Sequence, residues 1–444
     1  MKVVIVGAGF GGLKLARKLN NKAGFEVLLI DRFNYHQFQP LFYQVATGGL
    51  DASNISFPLR KVFQKSNNVR IRLAELKQIV PSQNKIITDI DEISYDVLVL
   101  ALGADTNFFN NTSISENAFP MKSTVEALQI LHRLIQNFED ALTVRDPAEL
   151  QRLMNIVVVG GGPTGVELSG ALADLKKYVL PKDYPELDFS KMNIYLLEGS
   201  DRTLATMSDK SSHQSKKYLE KLGVNVMTHK IVKNYDGKEV LLQDGEKIPA
   251  GMVIWAAGVK GNIPDGVDKS LVVRGNRIIV DRQCRLPSYN NIYSIGDLAY
   301  METPKYPHGH PQVASVAIQQ AKLLAENLRR VERKANQLYE FEYNDKGSMA
   351  TVGRNLAVCD IPKPRLHFGG FVAWIVWMSL HLMLILGVKN RFAVFSNWVY
   401  NYFTYDQNLR LIFKEFYKPK KRQLPTDGRL TSSPKLEESV ESKS

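Results

Sequence analysis

Three stretches predict an α/β fold of two similar domains followed by a hydrophobic, amphipathic helical region at the C-terminus. They are MKVVIVGAGFGG at the start, NIVVVGGGPTGVEL about 150 residues later, and GFVAWIVWMSLHLMLILGV near the end. In the first two, an apolar run of strand length meets three glycines spaced G-x-G-x-x-G and passes into a helical pattern. That sequence of events builds a Rossmann-like dinucleotide-binding domain. The third stretch has 19 positions without formal charge, which marks a membrane attachment.

Taken in order, Val3 to Val6 is a buried parallel strand. Gly7 permits the tight turn, Gly9 lets the backbone approach a pyrophosphate, and Gly12 lets helix and strand pack closely. A second strand, Phe25 to Ile30, ends in Asp31, 19 residues after Gly12, where a carboxylate can take two ribose hydroxyls. The aromatic-rich RFNYHQFQPLFYQVATGG that follows has neither helical nor strand period and is expected to cover a ligand. Within it His36 is read as structural. Tyr95 to Gly103, YDVLVLALG, is another apolar strand, its small-residue turn at Gly103 placing backbone against a nucleotide, and Ser123 to Phe138 is a connecting helix.

From Asn155 the opening pattern returns with Gly160, Gly162 and Gly165, so two nucleotide sites are expected. The strand Asn193 to Leu197 ends in Glu198, 33 residues past Gly165, and the excess is assigned to a polar surface insertion, Lys176 to Lys191. GMVIWAAG, Gly251 to Gly258, echoes YDVLVLALG. In NIYSIGD a strand delivers Gly296 and Asp297, whose carboxylate can meet a ribityl hydroxyl while the next amides approach a phosphate, which assigns FAD to the first half. Val313 to Asn336 is a long helix. The preceding His308 and His310 have no third ligand at suitable spacing, so no metal is expected.

A net charge of +12 is compatible with nucleic acid or an anionic membrane, so its position must decide. Lys389, Arg391 and the run KPKKR adjoin the apolar stretch and an aromatic segment, which suits a membrane interface and no nucleic acid. As one helix the 19-residue run would span roughly 28 Å, short of a bilayer core of about 30 Å. Residues 365 to 422 are therefore expected to lie peripherally on the cytoplasmic face, with a single span as the alternative. Lys2 leads straight into a strand, so no signal peptide is expected. Two cysteines, Cys284 and Cys359, without a C-x-x-C, offer no disulfide framework, zinc site or redox dithiol. The expected organisation is FAD-binding 1–120, a second dinucleotide-binding domain 121–275, which the resemblance below makes NADH-binding, FAD-binding 276–340, membrane attachment 341–423 and a disordered tail 424–444.

The motifs VGAGFGG, FQPLFYQVATGGL, GGGPTGVEL, WAAGV, YSIGD and VAIQQ, with the hydrophobic end, resemble those of the type II, non-proton-pumping NADH:quinone oxidoreductases. The resemblance runs from Met1 to about Phe413. It implies non-covalent FAD, NADH as substrate, and two-electron transfer to a membrane quinone at a lipid bilayer surface; a homodimer is compatible with it. The nicotinamide would lie near Ala257 and Gly258, and the flavin across the helix N-terminus at Ala314. Glu167 matches a family glutamate near flavin and quinone. The family pattern A-Q-x-A-x-Q corresponds to Ala314 through Gln319, with Ser315 replacing its first glutamine. A quinone pocket is expected between this helix, with Ser315 and Gln319, and the turn Ala46, Thr47, Gly48. Disulfide reductases and sulfide:quinone reductases would need cysteine sets that this chain lacks. The competing reading is a FAD- and NADH-binding redox-sensing or scaffold protein with slow turnover.

Overall fold

The computed structural model describes residues 1–407 and 409–412; the expected tail 424–444 and the KPKKR run lie outside the described residues. Lys2–Val6 is the central strand of a five-stranded sheet in the order Ile292–Ser294, Val97–Leu100, Lys2–Val6, Glu26–Asp31, Val69–Leu73. All four pairings are parallel. Such a sheet is covered on both faces, which is why its inner strands read as unbroken apolar runs. Its edge strand Ile292–Ser294 comes from far along the chain, so the first half is completed only after the second has been built.

The second sheet repeats the plan, in the order Phe119–Pro120, Met252–Trp255, Asn155–Val159, Asn193–Leu197, Val224–Met227, again all parallel. Phe119–Pro120, expected in the first domain, is an edge of this second sheet. The helices Phe10–Leu19 and Pro163–Tyr178 leave the two central strands. A side chain on Gly12 would stand 1.8 Å from the Gly7 carbonyl oxygen, and one on Gly165 would stand 1.9 Å from that of Gly160. Only glycine lets helix and strand come this close. The connecting helix Thr124–Ala141 starts at a capping box of Ser123 and Glu126.

The segment Lys176 to Lys191 runs over the surface as expected, with most of its residues exposed, but it is anchored from within. Its few apolar residues carry it inward: Leu180, Tyr184 and Phe189 are buried, and Tyr184 and Phe189 both pack on Phe138, ring centroids 5.7 and 5.5 Å away.

The C-terminal region differs most from expectation. Before any apolar helix the chain forms an antiparallel sheet, Ser348–Gly353, Leu356–Ile361 and Leu366–Gly369. It packs directly on the Pro163–Tyr178 helix, where a side chain on Gly170 would stand 1.7 Å from the Val352 carbonyl oxygen. The 19-residue apolar run is then two pieces. Helix Gly370–Leu384 ends, Gly387 turns the chain at φ +82°, and helix Val388–Thr404 follows. Fifteen residues span about 22 Å, and no described helix is long and apolar enough to cross a membrane, which removes the single-span alternative for this stretch. Ala373, Trp377, Val394 and Trp398 face inward, while Phe371, Met383, Phe392 and Phe403 are exposed.

Candidate functional site

Several of the described helices start without a side-chain cap, and three of these follow the expected nucleotide-binding turns. The three are Phe10–Leu19 at Gly9, Pro163–Tyr178 at Gly162 and Ala314–Glu332 at Val313. By contrast Ser123, Asp146 and Ser208 close the helices Thr124–Ala141, Pro147–Met154 and Asp209–Lys221. Uncapped first-turn N–H groups and the helix dipole favour an anion. Space is also available: a methyl group at Gly9, Gly103 or Gly162 would have no neighbour within 4 Å. A pyrophosphate therefore has room at each glycine loop.

The two acidic residues occupy equivalent positions. Asp31 accepts the Ala8 and Phe33 amides at 2.6 and 2.7 Å; Glu198 accepts the Gly161 and Ser200 amides at 2.5 and 2.7 Å. Each carboxylate keeps lone pairs for ribose hydroxyls. Burial raises the Asp31 carboxyl above its usual range, against the pull of the Ala8 and Phe33 amides and the Arg32 charge. Arg202 pairs with Asp209 rather than with Glu198. The turns opposite the loops also correspond, since Gly7 abuts the Ala101 carbonyl and Gly160 the Ala256 carbonyl, which sets Gly103 and the Ala257–Gly258 pair beside their respective cradles.

At the third of these helices, the Gly296 amide donates to Gln320 Oε1 at 2.7 Å, and Gln312 Nε2 donates to the Asp297 carbonyl at 2.9 Å. The two glutamines flanking the departed motif thus hold the turn that presents Asp297. Its carboxyl is buried and raised by that burial, with Lys122 and Arg277 opposing.

A cavity of about 160 Å³ lies where both halves meet the C-terminal region. Helix Phe42–Ala46 and its C-cap supply Tyr43, Gln44 and Thr47; helix Pro163–Tyr178 supplies Glu167, Ala171, Asp174 and Tyr178; the C-terminal sheet supplies Thr351 and Arg354; the apolar helices supply Trp374, Trp377 and Trp398. Burial raises Glu167 to about 8, opposed by the Thr351 amide, 3.3 Å away, and by the nearby Trp377 indole, whose N–H closes no hydrogen bond. Burial likewise raises Asp174 to about 6, opposed by the Arg354 amide at 3.0 Å and by the Arg354 and Lys177 charges. Gln44 links two sides of the wall, donating to the Tyr43 hydroxyl at 2.8 Å and accepting from Trp398 Nε1 at 2.7 Å. Of these residues the sequence reading named only Glu167 and Thr47. A signal was present, because Glu167 and Asp174 are two acidic residues seven apart on an otherwise apolar helix face.

Ser315 and Gln319 do share a helix face, but it is turned elsewhere. The Ser315 hydroxyl lies 2.7 Å from the Tyr343 hydroxyl, and Gln319 exchanges two bonds with the Asn344 backbone at 3.0 and 3.1 Å. The segment after the helix folds back over this face, so neither side chain lines the cavity. Thr47 does line it, Gly48 gives way to Gly49, and a methyl at Gly48 would stand 3.4 Å from Arg410 Cγ. His36 is buried with Nδ1 2.9 Å from the Ala8 carbonyl oxygen, a structural tether. His310 is buried beside Thr303, and no metal-binding cluster occurs among the described residues. Cys284 and Cys359 are free thiols buried in separate cores.

A family model described as pyridine nucleotide-disulphide oxidoreductase matches residues 1–321, and one described as the NDH2 C-terminal domain matches residues 346–405. The type II NADH:quinone oxidoreductase Ndh of Mycobacterium tuberculosis is 34% identical over 411 residues, covering 89% of this chain and 87% of that one. The type II NADH:quinone oxidoreductase of Haemophilus influenzae is 29% identical over 413 residues, covering 86% and 92%. Among solved structures, NDH2 from Plasmodium falciparum in complex with NADH has a similar fold, with a TM-score of 0.82 at 23% identity over 93% of this chain and 99% of that one. The sulfide:quinone oxidoreductase of Aquifex aeolicus reaches 0.70 at 21% identity, over 90% and 95%. On the family matches and the extent of identity, this chain belongs to the type II NADH:quinone oxidoreductases.

Proposed function

We propose that the chain passes two electrons from NADH, by way of non-covalently bound FAD, to a membrane quinone without pumping protons. The observation that carries this reading is the position of Glu167. It stands five residues past Gly162 on the helix that begins at the second nucleotide cradle, and it lines a cavity whose other wall is the C-terminal helices. Bound FAD would accept the hydride equivalent from NADH and release two electrons to the quinone.

The chain's own residues then bind, orient and supply a proton. Gly7, Gly9, Gly12, Asp31, Gly103, Gly296, Asp297 and the uncapped helix start at Ala314 suit FAD. Gly160, Gly162, Gly165, Glu198, Ala257 and Gly258 suit NADH. Tyr43, Thr47 and the cavity's tryptophans offer flat, largely apolar walls for a quinone headgroup. Glu167, raised to about 8, is protonated at neutral pH and donates to a quinone oxygen as charge builds there. Ser315 and Gln319 act as positioning residues, tying Tyr343 and Asn344 to the flavin-side helix. The outward apolar faces of the two C-terminal helices, with Lys389 and Arg391 beside them, suit docking on the cytoplasmic leaflet. The non-pumping character rests on the family.

The test is anaerobic. NADH should bleach the flavin absorbance of purified protein, and a soluble quinone added next should restore it at a rate matching steady-state turnover. Bleaching that quinone leaves unreversed would favour the redox-sensing scaffold instead.

A further inference from the structure

Each turnover of the proposed reaction joins NADH, quinone and one proton to give NAD⁺ and quinol. The hydride equivalent brings two electrons and one proton, so the second proton of the quinol must come from water. If Glu167 donates it, Glu167 must recover it before the next turnover, yet it is buried beneath Thr351 and Trp377. We infer that Asp174 is the entry point through which Glu167 recovers that proton from solvent. The inference rests on Glu167 as donor, and the experiment separates the two.

Geometry carries the assignment. Glu167, Ala171, Asp174 and Tyr178 are spaced four, three and four apart, form one stripe of the Pro163–Tyr178 helix, and all line the same cavity. The small Ala171 between the carboxylates leaves a groove rather than a plug. Seven residues place the carboxylates about 10 Å apart along the axis, too far for direct transfer. The cavity's volume of about 160 Å³ can admit several waters of about 30 Å³ each to bridge them.

Asp174 is the more accessible of the two, partly exposed where Glu167 is buried. It is held there by the Arg354 amide at 3.0 Å, and the Arg354 guanidinium rests over the rings of Tyr402 and Tyr405 at 4.2 and 3.7 Å. The charges facing Asp174 are Arg354 and Lys177, both favouring its ionised form. At neutral pH Asp174, near 6, is mostly ionised and Glu167, near 8, mostly protonated, so a proton captured at Asp174 moves inward downhill.

The measurement is stopped-flow quinol formation by the FAD-loaded enzyme with NADH and soluble quinone both in excess. In Asp174→Asn the first quinol per enzyme should form at the wild-type rate, because Glu167 starts protonated. Later turnovers should slow about tenfold and recover when a small weak acid such as azide is added. The carboxamide oxygen can still accept the Arg354 amide, so a purely structural role would not give this pattern. Asp174→Glu, which keeps a carboxyl group, should turn over within about threefold of wild type. Unchanged later turnovers in Asp174→Asn, or a first turnover slowed equally and without azide rescue, would overturn the assignment. In Glu167→Gln the first quinol itself should slow; if it does not, the donor reading fails, and the entry role with it.

Discussion

His367 Nδ1 lies 3.0 Å from the Asp360 carboxylate, which also accepts the Ser208 amide at 2.8 Å and the Ser208 and Ser211 hydroxyls at 2.9 and 2.8 Å. A carboxylate of the C-terminal sheet thereby braces Ser208, the N-cap of the Asp209–Lys221 helix of the second half. Burial alone would raise the Asp360 carboxyl, but these partners together pull it below the ordinary 3.8. A lowered carboxyl contributes stability above its unfolded value and loses it as pH falls through its folded one. Asp360→Ala should cost about 1.5–3 kcal/mol of unfolding free energy at pH 7, with the difference shrinking below pH 3.8. Denaturant midpoints of both proteins at pH 7 and pH 3 check this; a loss equal at both values would exclude the ionic clamp.

Glu167 has the opposite sign. Its carboxyl is raised from 4.5 to about 8, so between those values the folded protein holds a proton that the unfolded chain releases. Stability should therefore fall as pH rises from 4.5 through 8 and level off above, by on the order of 4 to 5 kcal/mol at most. Glu167→Gln removes this slope. Relative to wild type it should gain thermal stability between pH 5 and pH 9, and parallel melting profiles would contradict the raised value.

At the proposed NADH site the Glu198 carboxylate, anchored by the Gly161 and Ser200 amides, would confront a 2′-phosphate as a fixed like charge, and Arg202 is occupied by Asp209. At about 4 Å and an effective dielectric near 20 the repulsion is roughly 4 kcal/mol, which predicts strong preference for NADH over NADPH. Glu198→Ser should raise the NADPH to NADH ratio of kcat/KM by at least about tenfold. Equal efficiencies in the unaltered enzyme would sink the assignment.

Phe392 and Phe403 are 71% and 77% exposed on the outer face of the Val388–Thr404 helix, whose inner face is fixed by Val394 and Trp398. Burying such a side chain in a bilayer interface stabilises binding by about 1.5–3 kcal/mol. Phe392→Glu with Phe403→Glu should release the protein from anionic vesicles in sedimentation while leaving turnover with a soluble quinone within about twofold. Retained sedimentation would place the membrane contact elsewhere.

What sequence alone determined is the local and the repeated: Val3 to Val6 and Ile156 to Val159 as buried strands, the glycine loops, and the acidic residues Asp31 and Glu198. Their side chains and spacings act over a few dozen residues, so composition and period suffice. Helix geometry also put Ser315 and Gln319 on one face, but which segment covers that face depends on Tyr343 and Asn344 folding back. The break at Gly387 splits an apolar run that composition cannot divide, and it is the burial of Trp377 and Trp398, one from each helix, in a single core built by distant segments that decides where the run folds. The cavity is wholly tertiary. Gln44 meets Trp398 across 354 residues and Glu167 meets Thr351 across 184, and only when distant segments exclude water around Glu167 does an ordinary carboxyl become one that holds a proton at neutral pH.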